Sequence, residues 1–230
     1  MSHLEGEISP RDRETQGEKR EVFVEFLENK KSIIPEDLKT LEEKALLDWM
    51  PIIRKDTQAL LIWLMKERRP KRILEIGTCV GFSSILMARY TEDDTQIFTV
   101  ENYEPRIKEA TENIEKFGYG NRITLMPMDA KEALYELDGQ FDFIFLDGPK
   151  GQYPFYLPRL LELLSQDGML VTDNVLFDGD LLKQRSEIRH RDRTIHDRLN
   201  MFLDELLNNE SLNTLVTQTG DGMALTTRIK

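Results

Sequence analysis

Between residues 72 and 172, short apolar runs alternate regularly with segments of helical character. The runs are Arg72–Ile76, Gln96–Glu101, Ile123–Met126, Phe141–Leu146 and Met169–Thr172. Between them, Ser83–Tyr90, Pro105–Phe117, Lys131–Leu137 and Tyr153–Leu164 read as helices. Few architectures accommodate such an order. A helix between two strands returns the chain to the starting edge, so the strands run parallel. The runs are nearly continuous rather than alternating, which is the pattern of strands covered on both faces. The expected class is α/β, a mainly parallel sheet with helices on both sides.

The flanks are simpler. Residues 1–20 carry mixed charges and few large apolar groups, and are expected to be a flexible tail. Residues 21–230 then form one domain, consistent with roughly 100–200 residues per domain. It opens with helices at about 20–29, 36–49 and 56–67. In the second, Leu38, Leu41, Ala45 and Trp49 recur at helical spacing after Pro35. In the third, Ala59–Met65 is apolar all round, so burial on most faces is expected. After the last run, Thr194–Leu207 places Ile195, Leu199, Phe202, Leu203 and Leu206 on one helix face. The chain closes with Leu212–Thr219, the turn dipeptide Asp221-Gly222 and Met223–Ile229, a β-hairpin signal.

Composition removes several function classes. No apolar run reaches the roughly 18–20 residues needed to span a bilayer, so no membrane association is expected. The start of the chain has no signal-peptide core, and Cys79 is the single cysteine, which excludes an internal disulfide framework and a multi-cysteine zinc site. A cytoplasmic location is expected. The net charge of −11 disfavours generic binding to nucleic acid or anionic lipid, although a local basic patch remains compatible with it.

The first run leads into Glu75-Ile76-Gly77-Thr78-Cys79-Val80-Gly81-Phe82-Ser83. Glycines at a strand–helix turn let the backbone bend sharply and approach a ligand, and the next helix presents free N–H groups to an anion. A dinucleotide fingerprint needs Gly-x-Gly-x-x-Gly. Here only Gly77-x-x-x-Gly81 is present, so a close pyrophosphate contact is disfavoured. Glu101, at the end of the second run, has the placement of a carboxylate that accepts ribose hydroxyls. Together these residues point to a nucleoside-containing cofactor; the alternative is a structural turn and a surface glutamate. Cys79 reads as a packing residue, since no base can be assigned to it.

The fourth run ends in Asp147-Gly148-Pro149-Lys150 and the fifth in Asp173-Asn174. In a parallel sheet ligands bind beyond the carboxyl ends of the strands. Asp147, Asp173 and Asn174 would present hard oxygens there, suited to a magnesium-like ion. A lone aspartate at a strand end is commonly a turn or cap residue, which is the competing reading. An NAD-dependent oxidoreductase would share the sheet and Glu101 but not the Asp-Asn pair. A non-catalytic cofactor-binding module would need only the glycine loop.

These motifs, Glu75-x-Gly77-x-x-x-Gly81-x-Ser83, Glu101, Asp147-x-x-Lys150 and Asp173-Asn174-Val175, resemble the divalent-metal-dependent, S-adenosylmethionine-using O-methyltransferases, a family that includes catechol and caffeoyl-CoA enzymes. The resemblance covers about residues 50–230. It implies a class I methyltransferase (Rossmann-like) fold, a seven-stranded sheet whose last strand is antiparallel. It implies that Glu75, Gly77, Thr78 and Ser83 line the methionine side of the cofactor. Glu101 would hold the ribose, Asp129 and Ala130 would flank the adenine, and Ile53 would contact the cofactor from the N-terminal side. Asp147, also beside the cofactor, would hold Mg²⁺ or another hard divalent cation with Asp173 and Asn174, and Lys150 would be the catalytic base. A homodimer is expected.

Within that family, Thr172–Gly179 and the charged segment after it look most like bacterial tRNA 5-hydroxyuridine methyltransferases, whose product is 5-methoxyuridine. A chelating pair of acceptor oxygens fits both 5-hydroxyuridine and small catechol-like or phenylpropanoid acceptors. No evident aromatic clamp surrounds Leu176–Gly179, which counts against a small phenol. Lys183–Arg198 carries Lys183, Arg185, Arg189, Arg191, Arg193 and Arg198 against Glu187, Asp192 and Asp197. It is expected at the active-site rim, binding tRNA phosphates; the alternative is a solvated, salt-bridged face.

Overall fold

The computed structural model describes residues 22–27, 29 and 33–229. The expected tail at 1–20 lies outside the described residues; of the first expected helix, residues 22–27 and 29 are helical. Two helices then precede the sheet, α1 (Glu36–Leu47) and α2 (Lys55–Arg68). The alternating region follows as β1 (Arg72–Ile76), α3 (Phe82–Arg89), β2 (Gln96–Glu101), α4 (Glu104–Lys116), β3 (Ile123–Pro127), α5 (Ala130–Glu136), β4 (Phe141–Leu146), α6 (Tyr153–Leu163) and β5 (Leu164–Thr172). Short 3₁₀ turns lead to α7 (Arg193–Asn208), β6 (Leu212–Thr217) and β7 (Met223–Arg228).

The strands form one seven-stranded sheet in the order β3-β2-β1-β4-β5-β7-β6. Strands β1 to β5 pair in parallel. The last strand, β7, lies antiparallel between β5 and β6. Successive side chains of a strand point to opposite faces. Leu74, Ile76, Ile144 and Leu146 accordingly join one core with Leu134 of α5, Leu160 of α6 and Phe202 of α7. Ile73, Phe143 and Phe145 join a second core on the other face with Leu38 of α1, Leu61 of α2 and Ile85 of α3. Burying a Leu or Phe side chain contributes roughly 1.5–3 kcal/mol, so each strand residue helps to fix one of the two helix layers.

Three local expectations change. The second helix ends at Leu47, and Trp49 lies beyond it with φ 56° and 92% exposure. Leu38, Leu41 and Ala45 do bury, so the periodicity was carried by those three alone. Helix α2 is not buried all round: Leu61, Leu64 and Met65 are buried, but Trp63 is 58% exposed. The apolar run exceeds the face that the sheet can cover. Strand β5 begins at Leu164 rather than Met169, with a shift of register in which Leu164 pairs with Phe141 and Met169 with Phe143. No helix among the described residues is long and apolar enough to cross a membrane.

The chain moves outward from β1 through β2 to β3, then returns to place β4 on the other side of β1. The strand order therefore reverses at β1, and a crevice opens beyond the carboxyl ends of the strands.

Candidate active site

A cleft of about 570 Å³ occupies this crevice. Ile53, Gly77, Glu101, Asp129, Ala130, Asp147, Lys150, Asp173 and Asn174 all line it. A narrow recess sharing Ile53, Gly77 and Asp147 is lined by Thr78 and Ser83. Of the expected site residues, Glu75 alone borders neither space.

Glu75 lies beneath the glycine loop, wholly buried. Its carboxylate accepts hydrogen bonds from the Ser84 hydroxyl and, at 2.6 Å, from Thr99. Burial raises its pKa, while the Ser83, Ser84 and Thr99 hydroxyls pull it back. In this structure Glu75 braces the loop from below, and its Oε1 has no hydrogen-bond partner among the described residues. Thr78 joins the same layer through a 2.6 Å contact between its hydroxyl and that of Thr99.

The loop above is held close to the neighbouring strand ends. Gly77 adopts φ 109°, and a Cβ there would collide with the Asp147 carbonyl oxygen. The N–H groups of Gly77 and Thr78 both donate to the Val100 carbonyl at 3.1 Å. The Glu101 carboxylate accepts from the backbone N–H of Cys79, Asn102 and Tyr103, each at 3.0 Å. A carboxylate has about four acceptor sites, so one remains for a ligand hydroxyl. Cys79 packs against the core of the α1–α3 face, as expected, and also lines the cleft; burial pushes its thiol up to about 11, which favours the protonated form. Asp129 caps α5 by accepting from the Lys131 N–H at 2.9 Å.

Leu146 of β4 and Thr172 of β5 are ladder partners, so Asp147 and Asp173 emerge side by side. Burial first, and then the Asp173 charge, raises the Asp147 pKa well above the usual carboxylate range. Burial pushes Asp173 up to about 6, against hydrogen bonds from Asn174. The Lys150 charge opposes both shifts. Asn174 has φ 63°, and its N–H donates to Asp173 Oδ1 at 2.7 Å. Tyr153, fully buried, donates its hydroxyl to the carbonyls of Gly148 (3.2 Å) and Asp173 (3.3 Å), tying the two loops together.

Two carboxylates and one amide make a hard-oxygen set that would suit Mg²⁺. Among the described residues no group of three His, Cys, Asp or Glu side chains forms a metal cluster, so the third donor would have to be the Asn174 amide. The buried pair fits a cation: a positive ion beside the two carboxylates would offset the cost of burying their charges.

Several lining residues were not anticipated, among them Arg54, Tyr103, Met128, Tyr156 and Asp221. Asp221 had signalled only a turn; here both its oxygens accept from the Asp178 N–H, at 2.9 and 2.7 Å. The basic segment does not line the cleft. Its cations are largely matched: Lys183 with Asp180 (2.5 Å), Arg185 with Asp197 (2.9 Å) and Arg189 with Asp192 (2.7 Å). Arg193 donates to the Ile188 carbonyl. Arg198 donates to the Gly151 carbonyl at 3.0 Å, beside Lys150, which is the segment's nearest approach to the site on these contacts.

Comparison with known proteins agrees with this geometry. The O-methyltransferase family model matches residues 26–229. Caffeoyl-CoA O-methyltransferase 1 of Zea mays is 29% identical over 209 residues, covering 85% of this chain and 80% of the maize protein. A catechol O-methyltransferase of Niastella koreensis is 35% identical over 121 residues, which span 50% of this chain and 54% of that protein. The crystal structure of the SAH-bound Podospora anserina methyltransferase PaMTH1 matches with a TM-score of 0.84 at 26% identity, covering 98% of this chain and 100% of that one.

Proposed function

The chain belongs to the O-methyltransferase family, and on that premise we propose that it transfers a methyl group from S-adenosylmethionine to a hydroxyl with a second oxygen beside it. The observation that carries this reading is the buried Asp147–Asp173 pair lining a cleft that is also lined by Glu101. Glu101 suits a nucleoside, the aspartate pair a cation and a chelating acceptor. The relatives named above act on caffeoyl-CoA and catechol, and the solved relative holds SAH, which supports the choice of donor.

In this reading Glu101 accepts a ribose hydroxyl at its remaining acceptor site, and Asp129 with Ala130 borders the adenine. Ile53, Gly77, Thr78 and Ser83 surround the methionine end. Asp147, Asp173 and Asn174 would hold Mg²⁺, which when bound supplies Lewis acidity to the acceptor hydroxyl. Asp147 also fixes the cleft wall, since its N–H donates to the Ile76 carbonyl at 2.9 Å and its own carbonyl occupies the space a Gly77 side chain would need. Lys150, which lines the same cleft, would receive the released proton. Glu75 contributes indirectly, by keeping the loop in place.

The matched arginines of 183–198 favour a small catechol-like acceptor, because their charges are already met by aspartates. A specific observation supports the second acceptor, 5-hydroxyuridine in tRNA: the Arg189 and Arg191 side chains remain 67% and 74% exposed. The test is methyl transfer from labelled S-adenosylmethionine to a catechol and to 5-hydroxyuridine tRNA, each with Mg²⁺ and with EDTA. Turnover of either acceptor only with Mg²⁺ supports the reading; metal-independent turnover of both would refute the metal role, and turnover of neither would refute the acceptor class.

A further inference from the structure

The structure contains a buried polar cluster outside the cleft that the reaction does not use directly. Glu42, in the middle of α1, is buried. Its Oε2 is 2.5 Å from Lys55 Nζ, and its Oε1 accepts from Gln58 Nε2 at 2.7 Å. Gln58 is fully buried, and the same Nε2 donates to the Ile53 carbonyl at 3.0 Å. Both neighbours of that nitrogen are acceptors only, so the orientation of the amide is set by the contacts. The Gln58 Oε1 atom has no hydrogen-bond partner among the described residues.

Such a cluster is costly. A buried carboxylate and a buried amide give up water, and a leucine pair would fill the same space more favourably. Its position gives it a use. It joins α1 and α2 across the connecting strap, residues 48–54, which includes Pro51, Ile52, Ile53 and Arg54, all lining the cleft. The first half of the strap is tied back to α1: Asp48, Trp49 and Met50 N–H donate to the Lys44, Leu46 and Ala45 carbonyls, with Trp49 in the left-handed region. The second half has Ile52 N–H on the Met50 carbonyl and an exposed Arg54–Asp178 pair at 3.4 Å. The Ile53 carbonyl is anchored by Gln58, and the Arg54 carbonyl by the Gln58 N–H at 2.9 Å. Ile53 itself is buried and borders both the cleft and the recess beside Gly77.

We propose that Glu42 and Gln58 are positioning residues that hold the 50–54 strap, through the Ile53 carbonyl, as the preformed wall of the methyl-donor site. The proposal rests on the S-adenosylmethionine reading above. A ligand entering a preformed wall does not have to order it, so loss of the anchor falls on donor affinity rather than on the chemical step.

The experiment is calorimetric titration of SAH into wild type, Gln58→Leu and Glu42→Gln, alongside thermal melts and separate KM values for donor and acceptor. Gln58→Leu should weaken SAH binding about tenfold and raise the donor KM similarly, with the acceptor KM and kcat within twofold. Glu42→Gln retains an acceptor for Gln58 and should recover most of the affinity, even though it loses the Lys55 charge partner. Amide exchange at Ile52–Arg54 should quicken in Gln58→Leu without SAH and slow again with it. If Gln58→Leu lowers the melting temperature but binds SAH like wild type, the cluster is structural only and the proposal fails. Should Gln58→Leu not fold, wild-type affinity in a folded Glu42→Leu variant would overturn it equally. Failure of wild type itself to bind SAH would refute the donor reading instead, a distinguishable result.

Discussion

Asp147 and Asp173 leave neighbouring parallel strands one residue beyond the paired Leu146 and Thr172, and the Asp173 N–H donates to the Leu146 carbonyl at 3.0 Å. The ladder therefore brings the two carboxylates out of adjacent strands, whose backbones lie about 4.8 Å apart. Burial raises the free energy of ionising both, and the Asp173 charge adds to this at Asp147 as the Asp221 charge does at Asp173.

Removing one member of the pair should separate stability from activity. Asp147→Asn is expected to raise the melting temperature of the metal-free protein, because an unfavourable buried charge is lost. A gain of about 1 kcal/mol corresponds to roughly 2–4 °C for a chain of this size. Methyl transfer should fall by about a hundredfold or more. Asp173→Ala and Asn174→Ala should lower activity in the same direction. Turnover near wild type in all three, in EDTA, would dismiss the cation.

Wild type should be stabilised by Mg²⁺, with a melting temperature that climbs with metal concentration as binding to the folded state requires. Asp147→Asn should respond much less. Scanning calorimetry with a Mg²⁺ series and an EDTA reversal checks this; identical responses of the two proteins would place any metal elsewhere.

Glu101→Ala should weaken donor binding. The carboxylate organises the Cys79, Asn102 and Tyr103 amides as well as offering an acceptor to the ligand. Hydrogen bonds to charged groups are worth about 1.5–3 kcal/mol, so a loss of roughly ten- to a hundredfold in SAH affinity is expected. Calorimetry showing unchanged affinity would remove Glu101 from the site.

Gly77→Ala should be among the most damaging small substitutions. The φ of 109° disfavours any side chain, and the new methyl would meet the backbone carbonyl of Asp147, which cannot swing aside. Both the melting temperature and the methyl-transfer rate should drop. A fully active, fully stable variant would contradict the close approach of the two loops.

Arg189→Glu with Arg191→Glu discriminates the acceptors. Arg193 is left alone because it holds the turn through the Ile188 carbonyl. With a catechol-like acceptor the KM should be unchanged by the reversal and nearly independent of salt. With tRNA the KM should rise steeply, and log affinity should fall against log salt by about 0.7 for each phosphate contacted. Measuring KM for both acceptors over a salt series decides between them.

Much of this molecule follows from patterns that are local in the chain. Continuous apolar runs such as Phe143–Leu146 can bury both faces only inside a covered parallel sheet, and a glycine after β1 can satisfy a left-handed turn where other residues cannot. Asp147, Asp173 and Asn174 followed from their place just past strand ends, since parallel strands align those ends at one edge. The remainder depends on contacts between distant segments, which no local pattern encodes. Glu75 and Glu101 are both glutamates near strand ends, yet one is enclosed by Ser84 and Thr99 and the other faces the cleft. Asp221 reaches the site only because β7 inserts beside β5. The arginines of 183–198 add up to a basic stretch in sequence, but folding sets Arg185 against Asp197 and Arg189 against Asp192. Exposure of Trp49 and Trp63, and burial of Glu42 beside Lys55 and Gln58, were settled in the same way: the packing of α1 and α2 decides which side chains meet water and which must find a partner.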